Sequence, residues 1–322
     1  MDIFEDVLNF TIIDIIDVVL VALLLYYAYR LIKGTVAINI FFGIVIIYLL
    51  FPELLDTLYQ EMEQKEPSNL DFLVNLLPFL FLLVLLFLLV NKLHKRKIKS
   101  IITSRISVDW SRFFYAFFVW FTIGVLLIGV DYFMSPSDYV WNFKPTPFFV
   151  LLLISLVFLP IQTSMEELLF RGYLMQAFGV WFKKSFVALI LTAVIFGLLH
   201  GLNPEVEKLG WIVMIYYIGT GLVLGIFTLM DEGTELALGF HAANNIVAAV
   251  LVSSNWAVFQ TEALLIDVSE PSLDLLMFLP VFVLYPLMLF IFSKKYGWTN
   301  WNEKLFGTVT KPIELKEEEF KA

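Results

Sequence analysis

The sequence predicts an all-α, polytopic membrane protein with about eight to nine transmembrane helices, and three observations carry that reading. Of 322 residues, 60% are apolar and only 16% charged, which excludes an ordinary water-soluble enzyme, a disordered chain and a nucleic-acid binder. The apolar residues gather into runs of about 20, the length a helix needs to cross the hydrocarbon core. Cysteine is absent, so disulfides, thiolate zinc sites and a cysteine nucleophile are excluded together.

Taken in order, spans fall at 13–31, 36–52, 72–90, 113–131, 147–165 continuing to 182, 186–200, 211–230, 236–252 and 275–293. The first run carries Asp14 and Asp17 and lacks a preceding basic stretch, so no cleavable signal peptide is expected. An acidic segment separates the second and third spans. After the third, Lys92, Lys95, Arg96, Lys97, Lys99, Arg105 and Arg112 put seven of the 21 basic residues into one loop, which the positive-inside rule places in the cytoplasm. Arg30 with Lys33, Lys183 with Lys184 and Lys294 with Lys295 fall at alternate turns, so the N-terminus is expected outside and the C-terminus inside. The formal charge of -9 comes from acidic loops and from a tail holding Glu314, Glu317, Glu318 and Glu319.

The run 147–182 is too long for one simple crossing; it reads as a long helix, bent near Pro160, closed by a tight Lys183-Lys184 turn. The span 186–200 returns beside it. Counting back from the turn at 1.5 Å per residue, Glu166 and His200 both lie roughly 21 to 24 Å up their helices and are expected at similar depth. The organisation expected is a transmembrane pair (1–52), an acidic linker (53–71), helices around the basic loop (72–146), a core (147–252), and a last helix with a polar tail (253–322).

Ionisable groups in apolar spans are costly, which makes each a functional candidate. Three clusters qualify. In Glu166-Glu167-x-x-x-Arg171, Glu167 and Arg171 share a helical face and can pair, while Glu166 points about 100° away and needs another partner. Phe196-x-x-x-His200 ends an apolar helix. His241-Ala242-Ala243-Asn244-Asn245 puts His241 and Asn245 on one face with small residues between them. Singly each has a structural reading: a capped or neutralised interfacial helix end, a core or interfacial histidine bonded to a carbonyl, which is the commoner case, and a helix–helix polar clamp. Together, a carboxylate, two of the chain's three imidazoles and a carboxamide are the groups that activate water and hold an oxyanion. The third imidazole, His94, sits among lysines and is expected to be solvated.

The three motifs, in this order on predicted spans over 147–252, resemble those of the CPBP family of intramembrane endopeptidases, also called the Abi or CaaX-protease family. The resemblance implies that Glu166 with His200 activates the attacking water, that His241 with Asn245 holds the oxyanion, and that Glu167, Arg171 and Phe196 support them. A zinc ion held by Glu166, His200 and His241 is the alternative use of the same side chains, with water in the open fourth position. No other cofactor is expected. The implied partners are a membrane-associated protein or peptide substrate, including a prenylated CaaX-type one, and the bilayer; no nucleic acid is expected. The implied location is the cell (inner) membrane.

Residues 10–50, with Ile15-Ile16-Asp17-Val18-Val19 and Arg30-Leu31-Ile32-Lys33-Gly34, resemble the membrane anchor of bacterial diadenylate cyclases. The Asp-Gly-Ala and Arg-His-Arg patterns of the cyclase domain are missing, so cyclase activity is not expected. Two further readings stand beside hydrolysis: a non-catalytic immunity or scaffold protein of the same family, and a proton-coupled transporter using the buried Glu and His as a relay.

Overall fold

The computed structural model describes residues 67–310 except Asp274. The chain divides at Lys65/Glu66, within the stretch expected as an acidic linker. The spans expected at 13–31 and 36–52, the charges at Arg30 and Lys33, and the acidic tail lie outside the described residues.

Each described helix starts and stops for a local reason. Helix α1 (Asn69–Leu88) is capped by the Ser68 hydroxyl, which accepts from Asp71 N at 3.4 Å, and runs into a π turn at Leu89–Leu93. Helix α2 (Trp110–Met134) is capped by Asp109, whose carboxylate accepts from Ser111 N at 3.0 Å. Helix α3 spans Pro145–Phe182, with Pro145 at the first position, where its missing N–H costs nothing. A left-handed Lys183 (φ 55°) reverses the chain into α4 (Ser185–Leu199). After a 3-10 turn at His200–Leu202, the expected loop contains a short helix α5 (Pro204–Leu209). Helix α6 (Met214–Asp231) turns through left-handed Glu232 (φ 56°) into α7 (Glu235–Leu251). Helices α8 (Tyr285–Tyr296) and α9 (Trp301–Phe306) finish the described chain.

The span expected as one helix over 275–293 is composite: a 3-10 turn at Leu275–Phe278, a π turn at Pro280–Leu284, then α8. Pro280 and Pro286 each lack the N–H that a regular ladder would use. Helix α3, in contrast, stays α-helical through Pro160 and changes register only at Leu168–Leu174, a π stretch directly after Glu167. Five described helical segments are long and apolar enough to cross a membrane, and the shorter α7 is apolar as well. The chain is an all-α, multi-pass membrane protein.

The two ends of this bundle differ. At one end the basic turns meet: Arg112 lies 4.1 Å over the Tyr296 ring, Lys184 Nζ donates to Thr308 at 3.2 Å, and Lys304 Nζ donates to Met230 O at 2.9 Å. At the other end three short strands, β1 (Tyr139–Trp141), β2 (Val252–Ser253) and β3 (Leu265–Asp267), form a sheet in the order β1-β3-β2. β1 and β3 are antiparallel and β2 and β3 parallel. Glu205 of α5 is tied to this end, its Oε1 accepting from Val258 N at 2.8 Å.

Helix α7 is the centre of the packing, with α2, α3 and α6 around it. Leu236, Ala237, Phe240 and Ala243 are fully buried. Gly239 permits this, because a Cβ there would collide with the Phe113 carbonyl of α2. The outward faces of α1, α2 and α3 keep Phe81, Phe118, Phe149 and Leu153 exposed, as lipid contact requires.

Candidate active site

The polar residues of α3 and α7 meet inside the bundle. Glu167 and Arg171, four apart, pair as their spacing predicts: Arg171 Nη1 donates to Glu167 Oε1 at 2.8 Å, and both side chains are fully buried. Arg171 Nη2 also donates to Gly221 O on α6 at 2.9 Å. That contact needs close backbones, and Gly221 allows it, since a Cβ would lie 2.8 Å from Ala193 O. The guanidinium further rests 4.4 Å over the Phe196 ring.

Glu167 Oε1 has a second partner, His241 Nδ1 on α7, at 2.8 Å. An ionised carboxylate only accepts, so Nδ1 carries the hydrogen and Nε2 is turned the other way. There Nε2 stands 3.6 Å from Glu166 Oε2, too far for a direct hydrogen bond and close enough to share a third group. Glu166 Oε1 is held by Gln162 Nε2 at 2.6 Å, whereas Oε2 is buried without a hydrogen-bond partner among the described residues. Asn245 Nδ2 donates to Gln162 Oε1 at 3.0 Å. One carboxylate therefore fixes the imidazole while the other faces it with a free oxygen.

Helix α3 has 38 residues, roughly 57 Å at 1.5 Å per residue, against a hydrocarbon core of about 30 Å. On this helix Glu166 stands level with His241, Oε2 3.6 Å from Nε2.

His200 sits apart from this pair. Its Nδ1 donates to Phe196 O at 2.8 Å, and its ring stacks on Tyr217 at 4.5 Å. Phe196 separates the two imidazoles, 4.7 Å from the His200 ring and 6.0 Å from that of His241. The resemblance groups Glu166 with His200 and His241 with Asn245 by role; the side-chain contacts in the structure are those of Glu166 with His241 and of Asn245 with Gln162. The reason is rotational. His200 lies in the 3-10 turn beyond the end of α4, where its nearest acceptor is its own helix's last carbonyls, while His241 lies mid-surface on α7 against α3.

The expected zinc set fares accordingly. Among the described residues no three His, Asp or Glu side chains stand together as a metal-binding group, and His200 is turned to a carbonyl and an aromatic ring. The donor set does not fit a three-ligand zinc site. His94, expected to be solvated, is exposed and its Nε2 is 2.9 Å from Tyr173 OH. Gln162 escaped the sequence reading, although a lone amide four residues before Glu166 in an apolar run was the signal available.

With the geometry in hand, comparison with known proteins bears on it. Residues 145–247 match the family described as type II CAAX prenyl endopeptidase Rce1-like, and residues 6–88 match the CdaA N-terminal transmembrane domain. Both resemblances seen in the motifs are matched, the second running on through α1. The chain is 32% identical over 182 residues to the uncharacterized protein YyaK of Bacillus subtilis (strain 168), a stretch covering 56% of this chain and 61% of that one. No solved structure matches.

Proposed function

We propose that this membrane protein is an intramembrane endopeptidase that hydrolyses a peptide bond of a membrane-associated substrate with a water held between Glu166 and His241. The observation that carries the reading is the free Glu166 Oε2 facing His241 Nε2 at 3.6 Å. The family match over 145–247 supports it and favours a prenylated, CaaX-type substrate.

In this reading Glu167, anchored by Arg171, keeps the hydrogen of His241 on Nδ1, so Nε2 can accept from the water. Glu166 Oε2 takes the water's other proton as its oxygen attacks the scissile carbonyl carbon. The carbonyl electrons move onto oxygen, and the amide hydrogen of Asn245 not used by Gln162 donates to that oxyanion. Collapse breaks the C–N bond, and the proton on Glu166 passes to the leaving amine. His200, across Phe196 from His241, receives no proton in this scheme.

The test compares new protein termini in membranes of cells expressing the wild type and Glu166→Gln at matched levels. Termini present only with the wild type are expected, and their sequences define the substrate. Identical termini in the two samples overturn hydrolysis.

A further inference from the structure

Behind the Glu166–His241 pair runs a chain of side-chain hydrogen bonds that all point one way. Trp120 Nε1 on α2 donates to Asn244 Oδ1 at 3.1 Å, and Asn244 Nδ2 donates to Asn245 Oδ1 at 3.2 Å. Asn245 Nδ2 donates to Gln162 Oε1 at 3.0 Å, and Gln162 Nε2 donates to Glu166 Oε1 at 2.6 Å. The chain begins on α2, crosses α7 and ends on the carboxylate in α3. Its direction is set at both ends. An indole N–H can only donate and an ionised carboxylate can only accept, so each carboxamide between them must turn its oxygen toward Trp120 and its nitrogen toward Glu166. Turning any one amide over would set oxygen against oxygen on one side and N–H against N–H on the other.

Trp120 is held firmly enough to act as the head of such a chain. Its ring is buried and stacks on Phe240 at 4.1 Å with the planes 28° apart. Bonds in series also polarise one another where water is excluded, so the bond at Glu166 depends on those behind it.

We propose that Trp120, Asn244 and Gln162 are positioning residues: the chain presents Asn245 to the site nitrogen-first and holds Glu166 by Oε1, leaving Oε2 for the water. The catalytic part of this rests on the hydrolytic reading above; the chain itself does not. A residue on a different helix, four hydrogen bonds from the base, thereby sets the geometry of the reaction.

Two measurements on the reconstituted full chain test it. The first is steady-state turnover of a substrate identified from the termini comparison. Trp120→Phe keeps a six-membered ring to pack on Phe240 and removes the N–H donor together with the five-membered part of the indole. Because a single hydrogen bond is worth about 1 kcal/mol, it should lower kcat by about three- to tenfold with KM unchanged. Gln162→Leu should lower kcat further, and the double variant should lose less than the product of the two single effects, because the part of the Trp120 effect that reaches Glu166 passes through Gln162. Independent effects that multiply in the double variant overturn the proposal, as does an unchanged kcat in Trp120→Phe.

The second measurement needs no turnover. The infrared carboxylate band of Glu166, isolated as the difference between wild type and Glu166→Gln, should shift in Trp120→Phe and stay fixed in Thr122→Val on the exposed side of the same helix. An unmoved band in Trp120→Phe, or an equal shift in Thr122→Val, overturns the chain. A shifted band in a protein that cleaves nothing upholds the chain and removes the hydrolytic reading, so the two claims fail separately.

Discussion

Two buried clusters of acids and arginines, one at the basic end of the bundle and one inside it, use the same residue types to opposite effect. At the basic end Asp231 and Glu235 face Arg105 and Arg112. Asp231 Oδ2 accepts from Arg105 at 2.8 Å, and its Oδ1 accepts from Arg112 and from Trp298 Nε1. Glu235 Oε2 accepts from Arg105 at 3.1 Å and Oε1 from Asp109 N at 3.2 Å. Two carboxylates meet two guanidinium groups and every carboxylate oxygen has a donor. Inside the bundle, Arg171 pairs with Glu167 and not with Glu166, and Glu166 Oε2, Glu167 Oε2 and Arg171 Nε lack partners among the described residues. Buried polar groups are normally satisfied, so the saturated cluster reads as a fastening of loop to helix ends and the unsaturated one as a site kept open for another molecule.

The strongest way to break this contrast is to neutralise one acid in each cluster and compare stability with activity. Glu166→Gln should reduce the wild-type-specific cleavage by about 10²- to 10⁴-fold, the range of a lost general base, while the unfolding temperature in detergent does not fall. A matching loss of stability would make Glu166 structural. Asp231→Ala should do the reverse. It takes one partner from Arg105 and one from Arg112, which keep Glu235 and Asp109, and it leaves the buried Trp298 Nε1 without its acceptor, a loss of about 1 to 3 kcal/mol visible as a lowered unfolding temperature with the turnover per folded molecule retained.

A finer comparison separates the two imidazoles. His241→Ala should lower kcat more than His200→Ala, by about tenfold or more, because only His241 faces Glu166. Equal losses would restore the pairing of Glu166 with His200 that the motifs alone implied.

The smallest effect concerns two carboxylates at opposite ends, outside the spans. Hydrogen bonds from Ser111, and then Arg112, hold Asp109 below its ordinary value of 3.8, whereas burial pushes Glu205 above its ordinary 4.5. Asp109 therefore adds stability at pH above 3.8 that is lost as pH falls through its lowered folded value. Glu205 has the opposite sign: stability falls as pH rises from 4.5 through its raised folded value, because the folded state binds the proton more tightly. Asp109→Ala should flatten the acid limb of a stability–pH curve, and Glu205→Gln should flatten the decline above it. Slopes unchanged in both variants would show that neither carboxylate is coupled to folding.

Much of this was legible along the chain because membrane insertion is a one-dimensional filter. Every backbone polar group in lipid must be satisfied within its own helix, so apolar runs of sufficient length had to be spans, and α1, α2, α3, α4, α6 and α7 stand where those runs lie. The same logic made Glu166, Glu167, Arg171, His241 and Asn245 conspicuous: a costly group in an apolar run needs a reason, and Glu167 with Arg171 needed only helical periodicity to be paired. The proline-broken stretch before α8 was less legible, since composition cannot distinguish 3-10, π and α turns.

What the tertiary structure alone decided is who faces whom. Rotation of α7 against α3 put His241, not His200, opposite Glu166, while Gly239 let α7 close on α2. Trp120, an ordinary aromatic in an aromatic-rich helix, became the head of a hydrogen-bond chain only because α2 packs on α7. Sequence determines which groups are costly to bury, because that cost is local; it does not determine which of them meet, because a hydrogen bond depends on angles and ångströms set by packing between helices far apart along the chain.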